Sequence, residues 1–519
     1  MPQSPPGQPV PSFSGKSELA VCARKPCSAR EEDARRSTAC SSCITALAGI
    51  APTEYGKKNA GSPASRCRIP KPGNHVPLLN PEYGRAACFM RNVAPSQKFD
   101  VAVVGGGPSG LSCAYTLAKK GLRVAVMERG RTPGAKNLFG GRVYSSPLEK
   151  VFPNFRKEAP IERWVKHEKM SVVADDGALS LDYDSKGSTS FTAYLPKLVT
   201  WMATKAEAEG AVMVSDVCVD GLAMDGHRVV GVTAGGDKID ADVVVLAEGV
   251  NRLLCEGMKV VPPLSAHQVA LGVRQVVRLG SDKINERFCL AADEGLAWFF
   301  LGKPSDYMPG GGFLYTNSST VSIGLVLYLE KGIQMSEKNV YDILERFRTS
   351  PPLGQLLAGG SLVEYGSHLI PEAGLKMMPD KLYGDGYVIV GDAAGLVLNL
   401  GYTVRGVDFA VHSGFLAAQA ISDARSSNSF GASSLAAYEE KLNRSFVVKE
   451  MRRHGAIQKM MQKRQVFEAY PRIMVDAARR LYEFDEVSPK LLEAGRRSMK
   501  GRRSTIGVLG DLLALARGP

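Results

Sequence analysis

The sequence predicts an α/β protein: a Rossmann-type dinucleotide-binding domain assembled from separated stretches, an inserted α+β domain, and a helical C-terminal segment. Three observations predict it. A strand–glycine turn–helix–strand unit occupies "FDVAVVGGGPSGLSCAYTLAKKGLRVAVMERG" from Phe99 to Gly130. Two further buried strands follow, one ending in Glu248-Gly249 and one running into Gly391-Asp392, a glycine-rich loop and a long apolar helix. Between them lie stretches of strand composition such as "FLYTNSSTVSIGLVLYL", with a turn at Thr316–Ser319. A length of 519 residues allows two or three domains, and 44% hydrophobic residues excludes a disordered or fibrous chain as a whole.

Residues 1–97 form the first segment and differ from the rest. Pro, Ser, Gly, Ala and Arg dominate, and no helical or alternating period emerges, so a disordered leader is expected. Six of the ten cysteines fall in residues 1–89. Cys22, Cys27, Cys40 and Cys43 have the paired spacing of a zinc or iron–sulfur knuckle, but little apolar sequence supports one, and incidental cysteines are the favoured reading. The cluster Glu31, Glu32 and Asp33 fits an acid-poor transit peptide badly. Met90 stands ten residues before the strand at Asp100, and the functional protein is expected to begin there.

The strand at Asp100–Val104 has the β-branched and small residues of a strand buried on both faces. Gly105, Gly107 and Gly110 then give G-x-G-x-x-G: the first for a tight turn, the second for approach of a pyrophosphate, the third for contact between helix and sheet. A helix over Ser109–Lys120 stops at Gly121, and the next strand, Leu122–Met127, ends at Glu128. A carboxylate there accepts hydrogen bonds from a ribose diol. Strand, turn, helix, strand and acid in register point to a dinucleotide rather than to a structural glycine turn. The second half of the chain chooses FAD. Asp392 stands where a carboxylate binds the ribityl-side hydroxyls, and a helix expected from about Val404 aims its amides at the pyrophosphate or the flavin O2 edge.

Charge is unevenly spread. The overall surplus is +13, but residues 1–89 carry 12 Lys/Arg against 6 Asp/Glu, residues 90–440 carry 35 against 38, and residues 441–519 carry 18 against 8. The catalytic body is slightly acidic. No nucleic-acid-binding module accompanies either basic end, so nucleic acid is not an expected partner. No run of 18 or more apolar residues is present for a spanning helix, and ten cysteines in this length do not form a disulfide scaffold, so a cytoplasmic enzyme is expected. The basic tail reads as amphipathic helices for a partner subunit, a membrane surface, or plain solvent. Arg496, Arg497, Arg502 and Arg503 are the residues on which docking would depend.

Several segments carry a family resemblance: "GAKNLFGGRVY" (134–144), "DADVVVLAEGVNRLL" (240–254), "GGFLYTNSSTVSIGLV" (311–326), "EYGSHLIPEAG" (364–374), "GDAAGLVLNLGYTVRGVDFA" (391–410) and "SFVVKEMRRH" (445–454). Residues 98–519 resemble the FixC proteins, flavoprotein subunits related to electron-transfer-flavoprotein:quinone oxidoreductase, within the wider geranylgeranyl-reductase superfamily and the glutathione-reductase-type FAD fold. The resemblance implies an FAD-dependent oxidoreductase that takes electrons from an electron-transfer flavoprotein of the FixA/FixB kind. It would pass them to a quinone or, with a ferredoxin-like FixX subunit, to a ferredoxin-like acceptor, in support of nitrogen fixation. Peripheral contact with the inner face of the cytoplasmic membrane goes with that role. Met90–Pro519 matches the family's usual length. The larger quinone oxidoreductases carry a C-terminal iron–sulfur domain, but the last cysteine here is Cys289, so residues 290–519 hold no thiolate ligand. The alternative function is an FAD-dependent geranylgeranyl (isoprenoid) reductase, and a flavin-containing scaffold is a third reading; the Asp-Gly motif of NADPH-dependent hydroxylases is not seen.

The expected FAD-binding domain comprises 98–145, 190–260 and 384–425, the substrate or cap domain 146–189 and 261–383, and the basic helical segment 426–519. The candidate cofactor-binding residues are Gly105, Gly107, Pro108, Ser109, Gly110, Glu128, Arg129, Arg142, Glu248, Gly249, Gly391, Asp392, Arg405 and Gly406. No catalytic side chain or metal ligand is nominated, because electron transfer through a flavin requires neither. His412, inside the flavin-side helix, reads as a packing residue. Leu195 and Val199 replace an Arg and an Asp that the family commonly places beside FAD. Residues 395–402 ("GLVLNLGY") suit either a flavin or quinone lining or an ordinary buried loop.

Overall fold

The computed structural model describes residues 98–137, 140–330 and 339–516. The cysteines at 22–43, the Met90 start and the rest of the leader lie outside the described residues.

In chain order the elements are β1 (Phe99–Val104), α1 (Pro108–Ala118), β2 (Val124–Glu128), β3 (Gly140–Tyr144), α2 (Ser146–Val151), β4 (Arg163–Ala174), β5 (Gly177–Asp184), β6 (Ser190–Tyr194), α3 (Leu195–Ala208), β7 (Val212–Ser215), β8 (Gly221–Asp225), β9 (Arg228–Ala234) and β10 (Asp237–Leu246). After them come β11 (Val269–Arg278), α4 (Ser281–Phe288), β12 (Glu294–Gly302), β13 (Gly310–Thr316), β14 (Thr320–Tyr328), α5 (Val340–Thr349), β15 (Ser361–Pro371), β16 (Tyr383–Gly384), β17 (Tyr387–Ile389), β18 (Leu398–Asn399) and β19 (Val404–Arg405). The C-terminal part is helical: α6 (Val407–Ser426), α7 (Ala432–Arg444), α8 (Phe446–Arg453), α9 (Gly455–Met461), α10 (Ala469–Tyr482), α11 (Leu491–Met499) and α12 (Thr505–Ala516), joined by shorter turns.

The first sheet runs β16-β17-β10-β1-β2-β7, with β17, β10, β1, β2 and β7 parallel and a β8–β9 hairpin attached to the start of β10. In β1 every residue is buried, as a central parallel strand covered on both faces requires. Helices α1 and α6 press together on this sheet. A Cβ at Gly414 of α6 would lie 2.0 Å from the Ser109 carbonyl oxygen, so only glycine permits the approach. Ser112 Oγ donates to the Val411 carbonyl at 2.7 Å across the same seam. Further along, Tyr438 of α7 donates to the Ile389 carbonyl and pins β17.

The second sheet is largely antiparallel, in the order β15-β11-β14-β13-β12-β4-β6-β3, with β5 on β4. The β13–β14 hairpin turns between Thr316 and Thr320, the turn read from the sequence. Strands β3 and β6, which the sequence reading grouped with the first domain, hydrogen-bond into this sheet instead. Both are short and lie beside the crossings between the two parts of the chain, where composition alone does not assign a strand to a sheet. The fully buried Arg163 donates to the carbonyls of Ala291, Glu294, Asn317 and Ser318, tying β4 to the β13–β14 turn.

The helix expected from about Val404 begins at Val407. Val404 and Arg405 pair instead with Asn399 and Leu398 in a two-stranded ladder, so the backbone turns helical only after Gly406.

Helices α10–α12 are held by two buried carboxylates. Asp476 accepts from Arg479, Arg480 and Arg502, and Asp511 accepts from Lys463, Arg503 and Tyr470. Arg502 and Arg503, read from sequence as docking cations, are therefore also internal braces. Arg497 pairs with Glu493 one turn away. No described helix is long and apolar enough to cross a membrane.

Candidate functional site: a cleft at the carboxyl ends of the parallel strands

The parallel strands β1, β2, β10 and β17 deliver their carboxyl ends to one cleft of about 310 Å³, the location where open α/β sheets bind ligands. Its first wall is the glycine turn after β1. Gly105 adopts φ +107°, and a Cβ there would lie 2.3 Å from the Ala247 carbonyl oxygen, so the turn itself requires glycine. Gly110 serves the helix instead. Its Cβ would stand 2.1 Å from the Gly105 carbonyl oxygen, so glycine lets α1 sit against the turn. Gly107 differs from both. Nothing lies within 4 Å of its missing Cβ, and it lines the cleft as the N-cap of α1 with no side chain satisfying the first-turn amides. An uncapped helix start open to a cleft leaves its amides free to receive an anionic group such as a phosphate.

Glu128 is fixed rather than free. Its Oε2 accepts from the Gly106 amide at 2.9 Å and its Oε1 from the Gly130 amide at 2.6 Å. Each oxygen keeps a lone pair for donors within the cleft, such as a ribose diol. Pro108, Ser109 and Arg129 line the cleft beside it.

On the far side, Asp392 follows β17 and faces the cleft. No hydrogen-bond donor reaches its carboxyl among the described residues, and burial pushes its pKa up to about 6. An acceptor left without a donor beside a cleft fits sugar hydroxyls. Gly391 stands behind it, its amide donating to Ser413 Oγ at 3.0 Å, and supports the turn without lining the cleft. Gly406 lines the cleft and is the N-cap of α6, again without a side-chain cap, so a second helix start opens on the same space.

Three sequence-predicted residues have other partners. Arg405 does not line the cleft: it grips the buried Asp408, reaches Glu450, and lies over the rings of Tyr144, Phe409 and Phe446. Its role is to brace the start of α6. Glu248 lines the cleft, but its two oxygens accept the Leu254 and Cys255 amides, so it caps the short helix that follows; Gly249 stays open to the cleft. Arg142 lines the cleft with a buried side chain, held by Glu168 and the Tyr144 hydroxyl. Burial raises the Glu168 carboxyl even against the pull of this guanidinium.

The second sheet closes the cleft with His368, Leu369, Ile370 and Pro371 at the end of β15. Those residues, with Lys136, Asn137, Asn251 and Val217–Val219, were missed as site residues. The segment 364–374 stood out in the sequence only as a resemblance, because a strand from a distant part of the chain carries no local ligand signature. Leu195 lines the cleft and Val199 is buried in the core, so the start of α3 offers an apolar wall. Of residues 395–402, Val397 reaches the cleft and Asn399 turns to the buried Glu372. His412 is buried 4.8 Å from the Phe446 ring centroid, and burial takes its pKa down to about 4, the behaviour of a packing residue.

Comparison with known proteins identifies the family and the fold. A model of the Thi4 family matches residues 87–242, and a model of the ETF-QO/FixC family C-terminal domain matches residues 457–518. The chain is 40% identical over 420 residues to the probable electron transfer flavoprotein-quinone oxidoreductase YdiS of Escherichia coli strain K12, covering 80% of this chain and 97% of that protein. It is 40% identical over 396 residues to the protein FixC of Salmonella typhi, covering 75% of this chain and 92% of that one. A geranylgeranyl bacteriochlorophyll reductase-like protein of Thermoplasma acidophilum shares the fold, with a TM-score of 0.62, 18% identity, and coverage of 81% of this chain and 99% of that chain. The myxobacterial FAD-dependent halogenase CndH does so with a TM-score of 0.53, 17% identity, and coverage of 81% and 90%. With near-complete coverage of a 40% identical relative, the chain belongs to the FixC and electron-transfer-flavoprotein:quinone oxidoreductase family of FAD-dependent oxidoreductases.

Proposed function

We propose that this protein accepts electrons from an electron-transfer flavoprotein and passes them to a quinone through FAD held in the cleft. The observation that carries the reading is the donor set of the cleft, two uncapped helix starts and two carboxylates spaced along one groove, in a chain that spans 97% of a relative named for that reaction. FAD, when bound, supplies the redox chemistry. The chain supplies the hold on it. Gly107 and the first-turn amides of α1 receive the pyrophosphate, Glu128 the adenosine ribose and Asp392 the ribityl hydroxyls. The start of α6 at Gly406 and Val407 favours negative charge at the ring. Val397, Leu195 and Ile370 exclude water around it.

The proposal extends to a two-subunit flavoprotein of the FixA/FixB kind as the specific donor, a ferredoxin-like FixX subunit as an additional electron carrier, and a place in nitrogen fixation; the resemblance to proteins named FixC is what supports it. A peripheral position at the inner face of the cytoplasmic membrane is supported by the exposed apolar side chains of Val487, Leu491, Leu492 and Ile506 in a basic segment. The test is anaerobic mixing of the purified flavoprotein with a reduced electron-transfer flavoprotein and then a quinone analogue. Loss and recovery of the flavin absorbance supports the reading. Turnover of an isoprenoid double bond without any response to quinone would replace it with the reductase alternative.

A further inference from the structure

Glu372 follows directly on the cleft-lining Pro371, at the end of β15, and is 3% exposed. Its Oε2 accepts from the Tyr328 hydroxyl of β14 at 3.1 Å, and both its oxygens face the Asn399 side-chain amide at 3.2 and 3.3 Å. Asn399 in turn accepts the Gly401 amide at 2.9 Å and sits two residues beyond the cleft-lining Val397. The carboxyl thus joins the second sheet to the loop that closes the flavin side of the cleft. Tyr328 and Asn399 are themselves buried. The Gln268 carbonyl holds the Glu372 backbone, Lys376 stands on the following turn, and Gln458 packs against Gly374. No cation hydrogen-bonds the carboxyl among the described residues.

We propose that Glu372 is a proton-accepting positioning residue of the cleft, taking up a proton from solvent when electrons enter the bound FAD and releasing it when they leave. This rests on the FAD reading above. A buried carboxyl with two neutral partners and no cation has only protonation to offset nearby negative charge. Burial already pushes its pKa up to about 7, so added negative charge in the cleft moves it across neutral pH. The electrons come from the reduced electron-transfer flavoprotein and leave to the quinone. The carboxylate gains one proton in the first half and loses it in the second, so Glu372 itself is neither oxidised nor reduced.

The experiment measures the midpoint potential of the flavin-loaded, full-length protein from pH 5.5 to 8.5, alongside Glu372→Gln and Tyr328→Phe. In the wild type, the pH dependence near neutrality should steepen by up to one proton per two electrons. That is a tenfold change in the equilibrium per pH unit, or about 30 mV. Glu372→Gln should lose this component, and Tyr328→Phe should shift it to higher pH by removing a donor to the charged form. A Glu372→Gln curve superimposed on the wild type overturns the proposal while leaving the FAD reading intact; wild-type protein that binds no flavin overturns both. If Glu372→Gln fails to fold, infrared difference spectra of the wild type and Tyr328→Phe decide. A protonated-carboxyl band that grows on reduction and shifts with Tyr328→Phe supports the proposal, and an unchanged carboxyl region refutes it.

Discussion

Replacing Gly107 and Gly110 separately by alanine should split cofactor binding from folding. At Gly110 the new methyl would stand 2.1 Å from the Gly105 carbonyl oxygen, about 1 Å inside ordinary carbon–oxygen contact. Neither group can yield easily, since one is on α1 and the other in the turn that α1 covers, and overpacking of this kind costs about 1–3 kcal/mol. At Gly107 the methyl meets nothing within 4 Å, and φ −84° with ψ −178° suits alanine, so stability should change by less than about 1 kcal/mol. That methyl enters the space assigned to the pyrophosphate, and loss of the close approach should weaken FAD by tenfold or more, about 1.4 kcal/mol. Thermal unfolding reads the first effect, and flavin retained per chain after dialysis reads the second. Gly107→Ala with wild-type flavin content would refute the placement of the phosphates. Gly110→Ala with wild-type stability would refute the packing argument.

Other expectations follow from the same geometry. The Glu372 carboxyl is raised in the folded state, so its contribution is complete below the unfolded pKa of 4.5 and is lost as pH rises through about 7. Glu372→Gln should therefore gain about 3 kcal/mol relative to wild type at pH 8 and little at pH 4.5, checked by denaturant unfolding at both pH values. Asp392 is likewise raised to about 6 and should bind ribityl hydroxyls in its charged form, so FAD affinity in the wild type should fall with decreasing pH below about 6. The Asp392→Asn protein should show weaker binding without that slope, measured by flavin fluorescence titration. Arg502→Glu would set a carboxylate against the buried Asp476 and cost about 2–3 kcal/mol, whereas Arg496→Glu should leave unfolding unchanged, as calorimetry would show. Replacing Leu491 and Leu492 by serine should lower cosedimentation with vesicles containing anionic lipid without altering the flavin spectrum.

The parts of the fold legible in the sequence are those that are local. The unit from Phe99 to Glu128 shows its strand, turn, helix and acid within 30 residues, and the structure assembles them in register with β10 and β17. The position of Asp392 at the cleft was legible for the same reason, as a carboxylate immediately after a buried strand. The wall at 368–371 was not, because its relation to the cleft arises from the pairing of β15 with β11, a contact between residues about 100 positions apart. The protein partners of Arg405 and Glu248 were not legible for another reason. A charged side chain beside a cofactor cleft can serve the cofactor or the backbone, and only the positions of Asp408, Glu450 and the Leu254 and Cys255 amides reveal which. The basic tail was read as a surface, and part of its charge proves to be internal, paired with Asp476 and Asp511.

The most direct test of the central claim is stopped-flow absorbance of the purified protein under anaerobic conditions, mixed first with reduced electron-transfer flavoprotein and then with a water-soluble quinone. The expected course is an oxidised flavin spectrum at the start, bleaching with the donor, and recovery with the quinone, all reduced in Gly107→Ala in proportion to its flavin content. A protein that carries flavin but is neither bleached by the donor nor reoxidised by the quinone would contradict it.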